Sequence, residues 1–321
     1  MSTLVAIALL LGVLAYAVFG GADFGAGFWD LTAGGAQRGR APREVIDHSL
    51  GPVWEANHTW LIYCLVVFWT AFPSAFATVM RTLYIPLGLA ALGIVLRGSG
   101  FAFRKAVENT AQQRMAGAAF GFSSVVTPFF FGTVAGGIAS GRVPGDPIAS
   151  WVNPTSLFAG VLAVAVCAYL AAAFLTADAP PDLVRYFRQR AWITAWVTGV
   201  LSVAGIFLLR ADARHLFDEL LSRALPIVIL SVLAGLAALI LLRRAAARLV
   251  RALAALAVAA IVVAWGVAQY PYLLGTHAAI GMVAAPDSSL LALVVVVVAA
   301  ILLVGPSFAL LYVLQQRQLR S

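Results

Sequence analysis

Four polar side chains set against apolar sequence carry the chemistry this chain could perform. Asp23 lies within residues 20–27 (GGADFGAG), at the end of an apolar segment. Glu55, Asn57 and His58 lie within residues 51–60 (GPVWEANHTW), which lead straight into the apolar run 61–72. An ionisable group inside a membrane helix costs about 2.5–3.5 kcal/mol at mid-span and less near the interface, so it is kept for a partner or a purpose. Two acids on consecutive helices, joined by only about twenty residues, are expected to pack close enough to share one polar path. Low dielectric raises a carboxyl pKa, which suits proton exchange near neutral pH. The competing reading leaves both acids in the headgroup region, solvated or paired with Arg43 or Arg104.

Glu55, His58 and Ile62 fall on one helical face, so a Glu–His pair could pass protons along it. A lone interfacial histidine is more often a hydrogen-bonded structural residue. Asn57 is expected to hydrogen-bond across to another helix. Trp54 and Trp60 could stack on a quinone ring, though interfacial anchoring is the commoner use of tryptophan at that depth. The glycines at 20, 21, 25 and 27 predict close helix packing. Arg97, before Gly98 and Gly100, reads as a snorkelling anchor or as the partner of an acid or an anionic lipid headgroup. Cys64 and Cys167 lie in apolar runs and read as buried thiols. No zinc or calcium spacing, P-loop or Ser/His/Asp set is present. Four histidines, three of them expected in loops, offer no plausible haem axial pair.

The elements that position these residues follow from composition. The chain has 321 residues, 62% hydrophobic and 11% charged, with mean hydropathy +0.96. That is far too apolar for a soluble protein and predicts a polytopic membrane protein. Because lipid admits only helices or closed barrels, and these runs are too long for barrel strands, the class is all-α. Nine spans are expected, near residues 2–28, 51–72, 76–100, 115–140, 155–177, 190–210, 223–243, 248–269 and 287–314. The first is read as a retained helix, and the whole chain, 1–321, as a single integral membrane domain.

With the N-terminus outside, sixteen of the 21 basic residues fall on the cytoplasmic side, in clusters at 38–43, 97–114, 185–190, 243–251 and 317–320. Arg81, Arg142, Arg210, Arg214 and Arg223 remain opposite. Retention of positive charge therefore predicts N-out, C-in. It also accounts for the net charge of +8, so no nucleic-acid partner is expected. Asn153 should cap the fifth helix, the prolines at 180 and 181 should close it before a short charged connector, and Pro306 should kink the last.

GGADFGAG, PVWEANHTWLI and RGSGFAFR together resemble subunit II of cytochrome bd-type quinol oxidases, specifically over residues 15–108. The resemblance implies two four-helix bundles plus one peripheral helix, in a bacterial cytoplasmic (inner) membrane. It implies pairing with a haem-bearing subunit I that holds haem b and haem d types, and sometimes small single-helix accessory subunits. Membrane quinol is oxidised by the complex and dioxygen reduced to water. Subunit II would bind no haem, supply a proton route and sometimes hold a bound quinone. Asp23 matches the family's helix-one aspartate, and Glu55 stands where Asp is common, in a motif completed by Pro52, Trp54, Asn57 and Trp60. Arg97, Gly100 and Arg104 match its R-x-x-G-F-x-x-R. Gly20 departs from relatives that carry a second acid there. A proton-coupled secondary transporter and a structural scaffold without a proton role are the alternatives from other classes.

Overall fold

The computed structural model describes all residues except 36, 51–53, 107–109, 245 and 319–321, and leaves the side chains of Trp54 and Glu55, among others, outside that description. The chain opens with α1 (Ser2–Ala15) and α2 (Gly21–Thr32), joined without a break through a π turn at Tyr16–Gly20. A short amphipathic helix, α3 (Arg40–Leu50), precedes α4 (Trp54–Ala71). Then come α5 (Pro73–Thr82), α6 (Tyr84–Ala106), α7 (Thr110–Ala139), α8 (Pro154–Asp178) and α9 (Pro181–Asp212). The last part holds α10 (Arg214–Leu221), α11 (Leu225–Leu241), a 3-10 turn at Leu242–Arg244, and α12 (Ala247–Gln269). A small antiparallel hairpin, β1 (Tyr272–Leu274) and β2 (Ala278–Ala279), leads through α13 (Ile280–Val283) to α14 (Asp287–Gln318).

Eight helices among the described residues are long and apolar enough to cross a membrane, and the count is nine if the bent pair α4–α5 is taken as one span. The all-α polytopic class expected from composition is what the chain adopts. Several boundaries differ. Phe72 leaves the helical region and Pro73, which has no N–H to donate, restarts the chain as α5 at 118° to α4. Residues 76–82, expected in the third span, belong to that separate short helix. The expected start of the second span at 51 lies outside the described residues. The first crossing runs on to Thr32, so Asp23 stands two turns and more inside it rather than at its end. No charged connector follows Pro180: Pro181 takes the first helical position, where a missing N–H is harmless, and α9 starts at once. His48 and His215 sit on α3 and α10, not in loops. The last helix continues through Pro306.

Asn153 caps α8 as expected, its side-chain oxygen accepting from the Ser156 N–H at 2.9 Å. The principal core fills the space between α2, α8, the start of α9 and α12, with Ala22, Ala26, Leu170, Leu175, Phe187 and Val250 buried together. A second core lies towards the opposite membrane face, where Val5, Phe72, Val79 and Leu83 meet Leu274 and Leu290.

Candidate functional site

Small residues bring α2 against its neighbours. A β-carbon on Gly25 would collide with the Cys167 carbonyl of α8, and one on Gly27 with the Ser124 hydroxyl of α7. The close packing expected of these glycines is therefore present, and it sets the distance across which charged side chains must meet. Trp29 fixes the same contact by donating its indole N–H to the Ala168 carbonyl at 2.8 Å.

Across this interface α2 offers Asp23 and Asp30, seven residues apart, and α6 offers Arg97 and Arg104, also seven apart. Two helical turns separate each pair, about 10 Å at 1.5 Å per residue. Both helices run the same way through the membrane, so the residues match in order and form two rungs. In the inner rung, Arg97 Nη2 donates to Asp23 Oδ1 at 2.7 Å and to the Asp23 carbonyl at 3.0 Å. Both side chains are only 2% exposed. Arg97 Nη1 donates to Ser124 Oγ, and the guanidinium lies 4.5 Å from the Phe120 ring centroid and 5.1 Å from that of Phe24. Pro128 cannot donate to the Ser124 carbonyl one turn earlier, which leaves this stretch of α7 polar as well as close.

The outer rung is a network. Arg104 donates to Asp30 Oδ2 and takes Asp47 of α3 in a fork, at 2.5 and 2.6 Å. Arg43 Nε donates to Asp30 Oδ1 at 2.9 Å, while its Nη2 reaches the Asp30 and Gly34 carbonyls at 3.3 and 2.6 Å. Carbonyls at a helix C-terminus lack internal partners, and Arg43 supplies both hydrogen bonds and a favourable positive charge there. Gly34 turns the chain with φ +102°, a conformation glycine adopts without strain.

Of the residues singled out in the sequence, the structure unites Asp23, Arg97, Asn57 and His58. Asn57 donates to the Phe19 carbonyl at 3.3 Å, bonding across to the π turn as expected. The His58 ring centroid stands 6.3 Å from that of Tyr16 and 6.1 Å from that of Phe24, beside Asp23. Two buried oxygens in this nest, Asp23 Oδ2 and Tyr16 Oη, have no hydrogen-bond partner among the described residues. Trp60 lies against Tyr63, with ring centroids 6.4 Å apart, and Tyr63 donates to the Ala8 carbonyl. Glu55 is one turn before His58 on α4; its side chain, like that of Trp54, lies outside the described residues. Arg97 is the partner of an acid, and the two arginines proposed as alternative partners for Asp23, Arg43 and Arg104, hold Asp30 instead. Asp30, Asp47 and Tyr16 escaped the sequence reading. The seven-residue repeat shared by Asp23/Asp30 and Arg97/Arg104 was the signal available for Asp30.

Fold and site define an α-helical polytopic membrane protein with a buried charge ladder leading inward from one face. The family pattern "Cytochrome bd terminal oxidase subunit II" matches residues 1–315, and the chain belongs to that family. It is 26% identical over 233 residues to the cytochrome bd ubiquinol oxidase subunit 2 of Bacillus subtilis, covering 70% of this chain and 67% of that one. It is 27% identical over 215 residues to the cytochrome bd-I ubiquinol oxidase subunit 2 of Escherichia coli, covering 63% and 56%. A chain of the solved bd oxidase from Geobacillus thermodenitrificans superposes with a TM-score of 0.80 at 24% identity, over 98% of both chains, and so shares the fold.

Proposed function

We propose that this chain is the haem-free subunit of a bd-type terminal oxidase in a bacterial cytoplasmic membrane. Beside a haem-bearing subunit I, it would serve a complex that oxidises membrane quinol and reduces dioxygen to water. Its names among relatives, which are quinol oxidase subunits, support the reaction class. Of its four histidines only His58 stands on a crossing helix, so the crossing helices offer no histidine pair to a haem. Haem b and haem d types are assigned to the partner.

Its own chemical part is a proton route from the cytoplasmic side through Glu55, His58 and Asp23. One observation carries this reading: the buried Asp23 carboxylate gives one oxygen to Arg97 and keeps the other, Oδ2, unpartnered next to His58. Reduction of one dioxygen to water consumes four protons, so a buried reducing site needs a conduit. The Asp23–Arg97 pair carries no net charge. Oδ2 is the atom of the pair left open to a proton arriving by way of His58. Glu55 sits on α4 where that helix enters from the basic face, one turn outside His58.

Glu55→Gln tests this, because it keeps shape and hydrogen bonding while removing the titratable group. In the purified complex, turnover should fall by an order of magnitude or more with haem content intact, and Glu55→Asp should be milder. Wild-type turnover by Glu55→Gln in a fully assembled complex would reduce the chain to a scaffold.

A further inference from the structure

Beyond the ladder, a groove of about 590 Å³ lies between the first three turns of α9 and the 3-10 turn after α11. Its floor and walls are Val184, Trp192 and Leu242, and its rim carries Arg185, Arg188 and Arg243. On α9, positions 184, 188 and 192 follow the i, i+4, i+8 pattern of one helical face, and 185 adjoins it three residues before 188. The Arg243 guanidinium lies 5.8 Å from the Trp192 ring centroid, which joins the two walls. No carboxylate among the described residues is within ion-pair distance of these three arginines. Asp182, the acid nearest in sequence, is exposed in the first turn of α9. Three cations without an ion-pair partner among the described residues, set around an apolar slot, call for an anion with an apolar tail.

The location supplies that ligand. α9 has 32 residues, about 48 Å at 1.5 Å per residue, against a hydrocarbon core of about 30 Å. Its first turns therefore stand in the headgroup layer of the basic face, the side on which retention of positive charge places the cytoplasm. From Ile193 to Phe207 it presents large apolar side chains outward, among them Trp196, Val200 and Val203. A lipid beside α9 would place its phosphate at Arg185, Arg188 and Arg243 and lay an acyl chain along the helix below Trp192. Basic pockets between helices on this side of a membrane suit anionic headgroups. We infer that this groove is a binding site for an anionic phospholipid, recognised by its phosphodiester and held by its acyl chain.

The test uses the full chain in the assembly with which it purifies, delipidated in detergent. Phosphatidylglycerol, cardiolipin or phosphatidylcholine is then added and bound lipid counted by native mass spectrometry. Each arginine should contribute about five-fold, so R185Q/R188Q/R243Q should lower affinity for the anionic lipids about a hundred-fold, with phosphatidylcholine unaffected. The charge-keeping R185K/R188K/R243K should stay within several-fold of wild type, and R243Q alone should lose about five-fold, which keeps the test decisive if the triple variant fails to fold. Unchanged anionic-lipid binding by the glutamine variants would overturn the site. So would displacement of the lipid by millimolar inorganic phosphate, which would mark a bare phosphate site, or occupation of the groove by an acidic protein segment that excludes lipid.

Discussion

The two rungs of the ladder use the same pair of residue types at the same seven-residue spacing, yet they are different physical objects. Asp23 and Arg97 meet one to one with both side chains 2% exposed. Asp30 divides its carboxylate between Arg43 and Arg104, and Arg104, 16% exposed, is shared again with Asp47. The inner pair is buried and has no second charged partner among the described residues, whereas the outer network can redistribute its charge when a member is removed. Depth, set by two helical turns, turns an adaptable ion cluster into a site where a single unpaired oxygen is conspicuous. Removing one member of a buried pair strands the other charge, and that penalty exceeds anything lost at a partly wet site.

The largest effect should come from breaking the inner rung alone. Arg97→Gln or Asp23→Asn should each destabilise the chain by about 3–5 kcal/mol, read as earlier thermal unfolding in detergent. The double variant Asp23→Asn/Arg97→Gln should recover part of that loss, because no charge is stranded, while turnover stays low because the acid is gone. A single variant as stable as wild type would show that the inner rung is not a dry pair.

A smaller effect should follow from crowding it. A β-carbon at Gly27 would meet Ser124 Oγ and come within 2.9 Å of Arg97 Nη1. Gly27→Ala should therefore cost about 1–3 kcal/mol, the usual range for overpacking. Gly35→Ala, with nothing within 4 Å, is the control and should leave the unfolding temperature unchanged.

The smallest should come from the outer rung. Arg104→Gln leaves Asp30 with Arg43, so a loss of about 1 kcal/mol, shrinking further in high salt, is expected for a partly screened cluster. If Arg104→Gln costs as much as Arg97→Gln, burial is not what separates the rungs.

What the sequence determined by itself was the all-α membrane-spanning class and most of its apolar helices. Both are sums over a local segment: about twenty apolar residues must form a helix in lipid, whatever else the chain does. Asn153 was legible for the same reason, since its cap bond spans three residues. Pro73 shows where such sums fail. Hydropathy averages across a proline that cannot donate, so two helices at 118° read as parts of ordinary spans. Only the tertiary structure decided the pairings. Asp23 and Arg97 are 74 residues apart, and nothing local distinguished Arg97 from Arg43 or Arg104 as the partner of Asp23. That choice was made by how closely α2 can approach α7 and α8, which depends on the missing side chains of Gly25 and Gly27. Ion pairing falls off within a few ångströms, and separations that small are fixed by packing between helices rather than by the order of residues within one.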